Sequence, residues 1–145
     1  METLEDILNH KGTAVWSVPR DVSVLTALEV MAYRNVGAVP VTDDDARIVG
    51  IFSEREFARM ASRMRGDILA TPVEEVMVTP VVMAGVGVTV EECMALMSTR
   101  RLRHMPVVDE GRVVGIVSIG DVVNAAIHDK ELMIEQLEHY ISGSL

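Results

Sequence analysis

The sequence predicts an α/β (α+β) fold in which one strand–helix–strand–strand–helix (βαββα) unit occurs twice. Three observations predict it. The apolar pattern of the first half recurs about 66 residues later. In each half, short Val- and Ile-rich runs alternate with stretches of helical periodicity. Each half also has an apolar run that ends in a serine, followed three residues later by an acid.

The repeat is read directly from aligned segments. Val24–Met31 recurs as Val90–Met97 at an offset of 66, with coinciding apolar positions. Ile48–Ser53 recurs as Val113–Ser118 at an offset of 65, because one residue is lost in the preceding turn. Self-similarity of this kind indicates a duplicated structural unit. We therefore divide the chain into two repeats, 1–74 with an N-terminal helix and 75–145 with a C-terminal helix.

The first repeat is predicted from periodicity and from turn residues. Its elements are, in order, a strand over Val15–Val18, a helix from Asp21 or Ser23 to Gly37, strands over Ala38–Thr42 and Ile48–Phe52, and a helix over Glu54–Arg65. Apolar residues at three- and four-residue spacing indicate the first helix, and glycine commonly ends a helix. The Asp43–Asp45 turn returns the chain between the two strands.

The second repeat shows clearer helix starts. Its predicted elements are a short helix opened by Thr71–Glu74, a helix capped by Thr89–Glu92, a strand over Arg112–Val117 and a helix over Ile119–Ile127. Flanking amphipathic helices are predicted over Glu2–His10 and Asp129–Ile141. Either flanking helix packs on its own domain or contacts a partner.

Composition excludes several classes of protein. With 145 residues and 49% apolar residues, the chain is long and apolar enough for a packed core. No apolar run is long enough to span a membrane, and the acidic start is unlike a signal peptide. A net charge of −9 disfavours nucleic-acid binding. The single cysteine, Cys93, permits no internal disulfide, so we expect the cytoplasm.

No catalytic motif is present in the sequence. It lacks a nucleophile elbow, a P-loop, a Cys–His pair and a histidine-rich metal cluster. Gly85-Val86-Gly87 lacks the third glycine of a dinucleotide-binding fingerprint. We therefore expect no enzyme activity, no catalytic cofactor and no metal site.

The stretch VVGIVSIGD, residues 113–121, has two interpretations. Ser118 and Asp121 stand three residues apart, as in a helix N-cap with an acid in the first turn. A strand that leads into a helix N-terminus is also a place where proteins bind anionic ligands. The residue pattern alone leaves both interpretations open.

The two repeats resemble a tandem pair of cystathionine-β-synthase (CBS) domains, often called a Bateman module. The resemblance rests on Gly-x-x-Ser-x-x-acid after an apolar strand in each half, on Pro106–Asp109, and on Thr79–Val82. It implies a regulatory module with pseudo-twofold symmetry and two equivalent clefts between the repeats. In many members the clefts bind AMP, ADP, ATP, NAD or S-adenosylmethionine.

The resemblance also assigns site residues. Asp121 would accept hydrogen bonds from the ribose hydroxyls, Ser118 and the helix start at Gly120 would face phosphate, and Arg103-His104 would also reach it. The remaining residues of this first site are Met105, Pro106, Lys11, Thr13 and Trp16. The second, weaker site comprises Ser53, Arg55, Glu56, Thr79 and Val82. It departs from the family pattern, because Glu56 stands where the ribose aspartate is expected.

Two functional hypotheses remain. The first is a sensor of an adenosine-containing ligand that acts on an unknown effector protein. The second is a ligand-free scaffold that acts only through protein contacts. We also expect a homodimer, because CBS pairs commonly join through their helices, and Val22–Tyr33 and Val90–Thr99 supply a methionine-rich apolar surface.

Overall fold

The computed structural model describes residues 2–143. The helices are α1 (Leu4–Lys11), α2 (Val24–Arg34), α3 (Glu54–Arg63), α4 (Val90–Arg100) and α5 (Ile119–Ser142). The strands are β1 (Val18–Pro19), β2 (Ala38–Thr42), β3 (Ile48–Ser53), β4 (Ala84–Gly85), β5 (His104–Asp109) and β6 (Arg112–Ser118). Two one-turn 3-10 helices lie over Ile68–Ala70 and Val73–Glu75.

These elements form two compact units. The described part of unit 1 comprises residues 2–14 and 83–143, whereas unit 2 comprises Val15–Val82. Helix α1 therefore packs with the second repeat, although it precedes the first repeat in the sequence. The amides of Leu4 and Glu5 donate to the carbonyls of Val88 and Val86, which explains this grouping.

Each unit contains one three-stranded sheet with the same topology. In unit 2, β1 pairs in parallel with β2, and β2 pairs antiparallel with β3. In unit 1, β4, β5 and β6 repeat this order and these directions. Even the irregularities recur, since the register shifts between Val41 and Thr42 and again between Val107 and Val108. The predicted α/β class and the βαββα repeat are confirmed.

The cores follow from the predicted apolar faces. In unit 2, helix α2 buries Val24, Ala27 and Met31 against β2 and β3, where Val39 and Phe52 are fully buried. In unit 1, helix α4 buries Val90, Cys93 and Met97 in the same way. Both helices end at a residue in the left-handed conformation, Asn35 in one and Arg101 in the other.

The first strand of the first repeat is shorter and begins later than predicted. The predicted strand over Val15–Val18 is wrong for its first three residues, because only Val18 and Pro19 pair with β2. In the second repeat, Thr79–Val82 lies outside the strands, and β4 begins at Ala84. Val18 and Ala84 stand 66 residues apart, so the first strands of the two repeats keep the predicted offset.

Several helix boundaries also differ from the prediction. Helix α1 spans Leu4–Lys11 and not Glu2–His10, and α3 ends at Arg63 and not at Arg65. The two helices predicted over Ile119–Ile127 and Asp129–Ile141 form one helix, α5, because no glycine or proline interrupts the chain between Gly120 and Gly143. Helix α2 ends at Asn35, two residues before Gly37. Thr71 does not cap the following short helix, which has no side-chain cap.

No helix within residues 2–143 combines the length and the apolar character of a membrane span.

Candidate functional site

The junction between β6 and α5 forms the centre of the candidate site in unit 1. Ser118 is the N-cap of α5, and its Oγ accepts a hydrogen bond from the Asp121 amide at 3.1 Å. In return, Asp121 Oδ2 accepts a hydrogen bond from the Ser118 amide at 2.8 Å. The predicted cap is therefore confirmed, and it is a complete capping box.

Helix α1 brings a lysine to this junction. The Lys11 Nζ atom donates to Asp121 Oδ2 at 2.5 Å and to the Ile116 carbonyl at 3.0 Å. Buried Leu4, Ile7 and Leu8 fix the helix on unit 1. Leu8 covers Gly115 of β6 so closely that a Cβ there would lie 2.6 Å from a Leu8 methyl carbon.

The Lys11–Asp121 ion pair lowers the pKa of the carboxyl group at the centre of the site. Burial alone would raise the pKa of Asp121, but the hydrogen bonds from Lys11 and from the Ser118 amide, with the charge of Lys11, bring that pKa below its ordinary value. The side chains of Lys11 and Asp121 are 36% and 26% exposed, so solvent reaches the pair. The hydrogen bonds from Lys11 and from the Ser118 amide both go to Oδ2, and an ionised carboxylate has about four acceptor sites. The carboxylate therefore keeps acceptor capacity for a hydroxyl.

A pocket of about 420 Å³ lies beside this pair, between α1 and the first half of α5. This volume falls within the usual range for small-molecule pockets, about 300–1,000 Å³. Its lining residues are Glu2, Ile7, His10, Lys11, Asp121, Asn124, Ala125 and His128.

The predicted basic residues lie at the same junction. His104 begins β5 and pairs with Ser118 across the sheet. The Arg103 carbonyl accepts a hydrogen bond from the Ile119 amide at 2.8 Å, which holds residues 103 and 104 beside the start of α5. Arg103 is exposed and His104 is half-buried, whereas Met105 is fully buried in the core. Their ligand contacts stay predictions.

The other residues predicted for this site are distributed differently. Gly120 is exposed in the first turn of α5, Thr13 is exposed two residues after Lys11, and Pro106 is buried in β5, all within unit 1. Trp16 belongs to unit 2, where the Arg34 guanidinium lies 3.8 Å from the centre of its ring. That contact is a cation–π interaction on the surface of unit 2.

The equivalent junction in unit 2 lacks the features that distinguish unit 1. Ser53 caps α3 and accepts from the Glu56 amide at 3.3 Å, but no reciprocal bond from the Ser53 amide to the Glu56 carboxylate forms among the described residues. None of the ion pairs within residues 2–143 involves Glu56. Met77 packs against Gly50 as Leu8 packs against Gly115 in unit 1, so Met77 corresponds to Leu8 and not to Lys11.

The remaining predicted residues of the second site also lie in unit 2. Arg55 is half-buried in the first turn of α3, Thr79 is exposed, and Val82 is half-buried. Thr79 follows Val78, whose backbone exchanges two hydrogen bonds with Ile51. Within the described residues, no group of histidine, cysteine and acidic side chains is arranged to hold a metal ion.

Sequence reasoning identified Lys11 and Asp121 separately and missed their contact. The repeat alignment gave no signal for this contact, because it joins two residues 110 positions apart.

Known proteins share both the sequence pattern and the fold of this chain. A family model described as "CBS domain" matches residues 3–63 and 73–128. The CBS domain-containing protein CBSX3, mitochondrial, of Arabidopsis thaliana is 31% identical over 156 residues, which cover 97% of this chain and 72% of that protein. The crystal structure of the CBS domain NE2398 is 40% identical with a TM-score of 0.81, and the match covers 88% of this chain and 99% of that one.

Two similar structures contain adenosine compounds. CBSX2 in complex with AMP is 27% identical with a TM-score of 0.69, and the match covers 90% of this chain and 99% of that one. The CBS domain pair of MJ0100, in complex with 5'-methylthioadenosine and S-adenosyl-L-methionine, is 25% identical with a TM-score of 0.73. That match covers 85% of this chain and 98% of the other.

Proposed function

Since the chain belongs to the CBS domain family, we propose that it is a non-catalytic regulatory module that binds an adenosine-containing ligand at Asp121. Similar proteins bind AMP, 5'-methylthioadenosine and S-adenosylmethionine. All of these contain an adenosine ribose with a cis-diol, so the shared chemistry is a diol that a carboxylate accepts. AMP, ADP, ATP, NAD and S-adenosylmethionine all meet this requirement.

The observation that carries the proposal is the state of the Asp121 carboxylate. It is held ionised by a lowered pKa, it is half-buried, and it is fixed through Oδ2 by the Ser118 amide, which leaves acceptor sites on the carboxylate. A fixed and partly buried carboxylate is a stronger acceptor for hydroxyl groups than a freely rotating one in water. Lys11 and Arg103 supply local positive charge for a phosphate in a chain whose net charge is −9.

A ligand-free scaffold is the second candidate, and unit 2 supports it. Glu56 replaces the expected aspartate, and it forms no ion pair within residues 2–143. Unit 2 thus lacks both the short carboxylate and its cationic neighbour. A chain that has lost both sites to this degree would act through protein contacts alone.

Native mass spectrometry of the purified protein should show a retained ligand with the mass of an adenosine compound. Calorimetry with AMP, ATP, NAD and S-adenosylmethionine should then show saturable binding of at least one of them. Absence of a retained ligand, together with no binding of any of the four at millimolar concentration, would establish the scaffold function instead.

We also propose that the protein is a cytoplasmic homodimer that acts on a separate effector protein. The second half of α5 exposes six large apolar side chains: Leu132, Met133, Ile134, Leu137, Tyr140 and Ile141. In unit 2, helix α2 separately exposes Leu25 and Tyr33, by 44% and 81%. Monomeric proteins rarely expose large apolar patches, and a twofold dimer is the commonest way to cover one.

Sedimentation at micromolar concentration should give a particle of twice the 15.9 kDa chain mass. Introducing two charges with Ile134→Asp and Leu137→Asp should shift it to the monomer, because burying them without partners is unfavourable. Glu138→Gln, on the same helix, is the control and should remain dimeric. A wild-type monomer with and without nucleotide would contradict the dimer. A dimeric double variant would exclude the α5 surface as the contact.

A further inference from the structure

We infer that Lys11 makes the Asp121 site selective for phosphorylated adenosine ligands over adenosine itself, because its ammonium occupies the ribose acceptor until a phosphate draws it away. This inference rests on the function proposed above and specifies the class of ligand that the site prefers. It concerns only residues of unit 1.

The first step is competition for Asp121. A cis-diol donates two hydrogen bonds, and a carboxylate accepts both best when its two oxygens are available. In the structure, Asp121 Oδ2 already accepts from the Ser118 amide and from Lys11 Nζ. The Ser118 bond belongs to the helix cap, whereas the Lys11 bond joins two side chains that are both accessible to solvent. Lys11 is therefore the partner that a ribose displaces.

The second step is the effect of a ligand phosphate on the Lys11 ammonium. Adenosine has no phosphate and offers no alternative partner for the displaced ammonium. Binding of adenosine therefore breaks the Lys11–Asp121 ion pair without replacing it. A ligand with a 5'-phosphate offers charged oxygens, and hydrogen bonds between charged groups are about twice as strong as neutral ones. A lysine ammonium is a point charge on a flexible stem with three donors, and Lys11 uses two of them on Asp121 and Ile116. It can therefore turn from the carboxylate to the phosphate while the helix that carries it stays in place.

The third step is that unit 2 lacks an equivalent lysine–carboxylate ion pair. Glu56 forms no ion pair within residues 2–143, and Met77, which packs on Gly50, corresponds to Leu8, which packs on Gly115. Phosphate selectivity by this route is therefore specific to the Asp121 site. Lys11→Met is the test variant, because methionine keeps a flexible unbranched side chain and removes the charge.

The chain offers a matched control. It has two lysines, Lys11 and Lys130. Lys130 is exposed on α5, nine residues after Asp121, and lies outside the pocket beside the Lys11–Asp121 pair. Lys130→Met changes the net charge by the same amount as Lys11→Met, so a difference between the two variants reports position and not total charge.

The decisive measurement is the ratio of AMP to adenosine affinity by calorimetry. Lys11→Met should weaken AMP binding by about ten- to a hundredfold, because a hydrogen-bonded charge on the phosphate is lost. The same variant should strengthen adenosine binding by about two- to fivefold, because a partly exposed ion pair no longer competes. Lys130→Met should leave both affinities unchanged.

Lysine-selective ¹³C labelling follows the movement directly, since the two lysines give two ε-carbon signals and Lys11→Met assigns them. AMP should shift the Lys11 signal and leave that of Lys130 in place.

Equal losses for AMP and adenosine in Lys11→Met would overturn the inference and make Lys11 a structural residue of the site. An unchanged affinity ratio, or a Lys11 signal that AMP does not shift, would also overturn it while the proposed function stands. Binding of neither compound by the wild type would overturn the proposed function, and this inference with it.

Discussion

Replacing Asp121 with alanine is expected to weaken binding of AMP, ATP and NAD by about ten- to several-hundredfold. The change removes an ionised acceptor from two ribose hydroxyls, and hydrogen bonds to charged groups contribute about 1.5–3 kcal/mol each. Since about 1.4 kcal/mol corresponds to a factor of ten in affinity, a net loss of about 1.5–3.5 kcal/mol, equal to one strong bond or two weak ones, gives this range. Calorimetry on the wild type and the variant measures it.

Asp121 also holds the start of α5, so the loss of affinity must be separated from a loss of stability. Its side chain completes the capping box with Ser118 and pairs with Lys11. Asp121→Asn is the better-matched variant, because the amide oxygen of asparagine can still accept from the Ser118 amide while the charge is lost. We expect Asp121→Asn to melt closer to the wild type than Asp121→Ala and yet to bind nucleotides nearly as weakly.

Glu56→Ala and Glu56→Gln are the matched variants in unit 2. They should change nucleotide affinity less than the Asp121 variants, because Glu56 has neither the reciprocal cap nor a lysine neighbour in the described structure. Wild-type affinity in Asp121→Ala for all three ligands would show that the ribose assignment is wrong. A larger loss in Glu56→Ala than in Asp121→Ala would show that the two sites are ranked in the wrong order.

The repeat made the fold predictable, because two copies constrain each other. The strand Ala38–Thr42 was predicted with its observed bounds, and the helix starts at Ser23, Ser53 and Ser118 all carry the expected cap. Serine caps and turn acids act within a few residues of the chain, so the sequence reveals them locally.

The errors occur where non-local contacts decide the structure. Val15–Ser17 has strand-forming residues but no partner in β2, and pairing, not propensity, ends the strand. Residues 128 and 129 contain no helix breaker, so α5 continues through a point where the periodicity suggested a boundary.

The local part of the candidate site was predictable from the sequence, whereas its long-range contact was not. The resemblance to CBS domains assigned Asp121 a ribose role, and the local pattern gave its cap. The contact with Lys11 spans 110 positions and depends on α1 packing on the second repeat. Nothing in the local pattern around residue 11 indicates that packing, because an amphipathic helix at the start of a chain fits either unit.

The packing of α1 leads to the second prediction with a large expected effect. Leu4→Ala should lower the free energy of unfolding by about 2–5 kcal/mol, the usual cost of removing a fully buried leucine side chain. Leu4 is 0% exposed, and its amide is held by the Val88 carbonyl. Urea denaturation followed by far-UV circular dichroism measures the change.

The chemically matched control is Leu69→Ala, because Leu69 is a leucine that is 38% exposed in a one-turn helix of unit 2. It should cost less than half as much as Leu4→Ala, since less apolar area leaves the core. The sole tryptophan, Trp16, belongs to unit 2, so its fluorescence provides a second signal from the unit that α1 does not join.

A transition in Leu4→Ala that shifts by no more than that of Leu69→Ala would show that α1 is dispensable for unit 1. If α1 is as integral as its buried face indicates, Leu4→Ala should also weaken AMP binding under native conditions, although Leu4 does not line the pocket. The reason is positional: Lys11 reaches Asp121 only because Leu4, Ile7 and Leu8 hold the helix on β6 and α5. Loss of stability with unchanged AMP affinity would therefore separate the packing of α1 from the placement of its lysine.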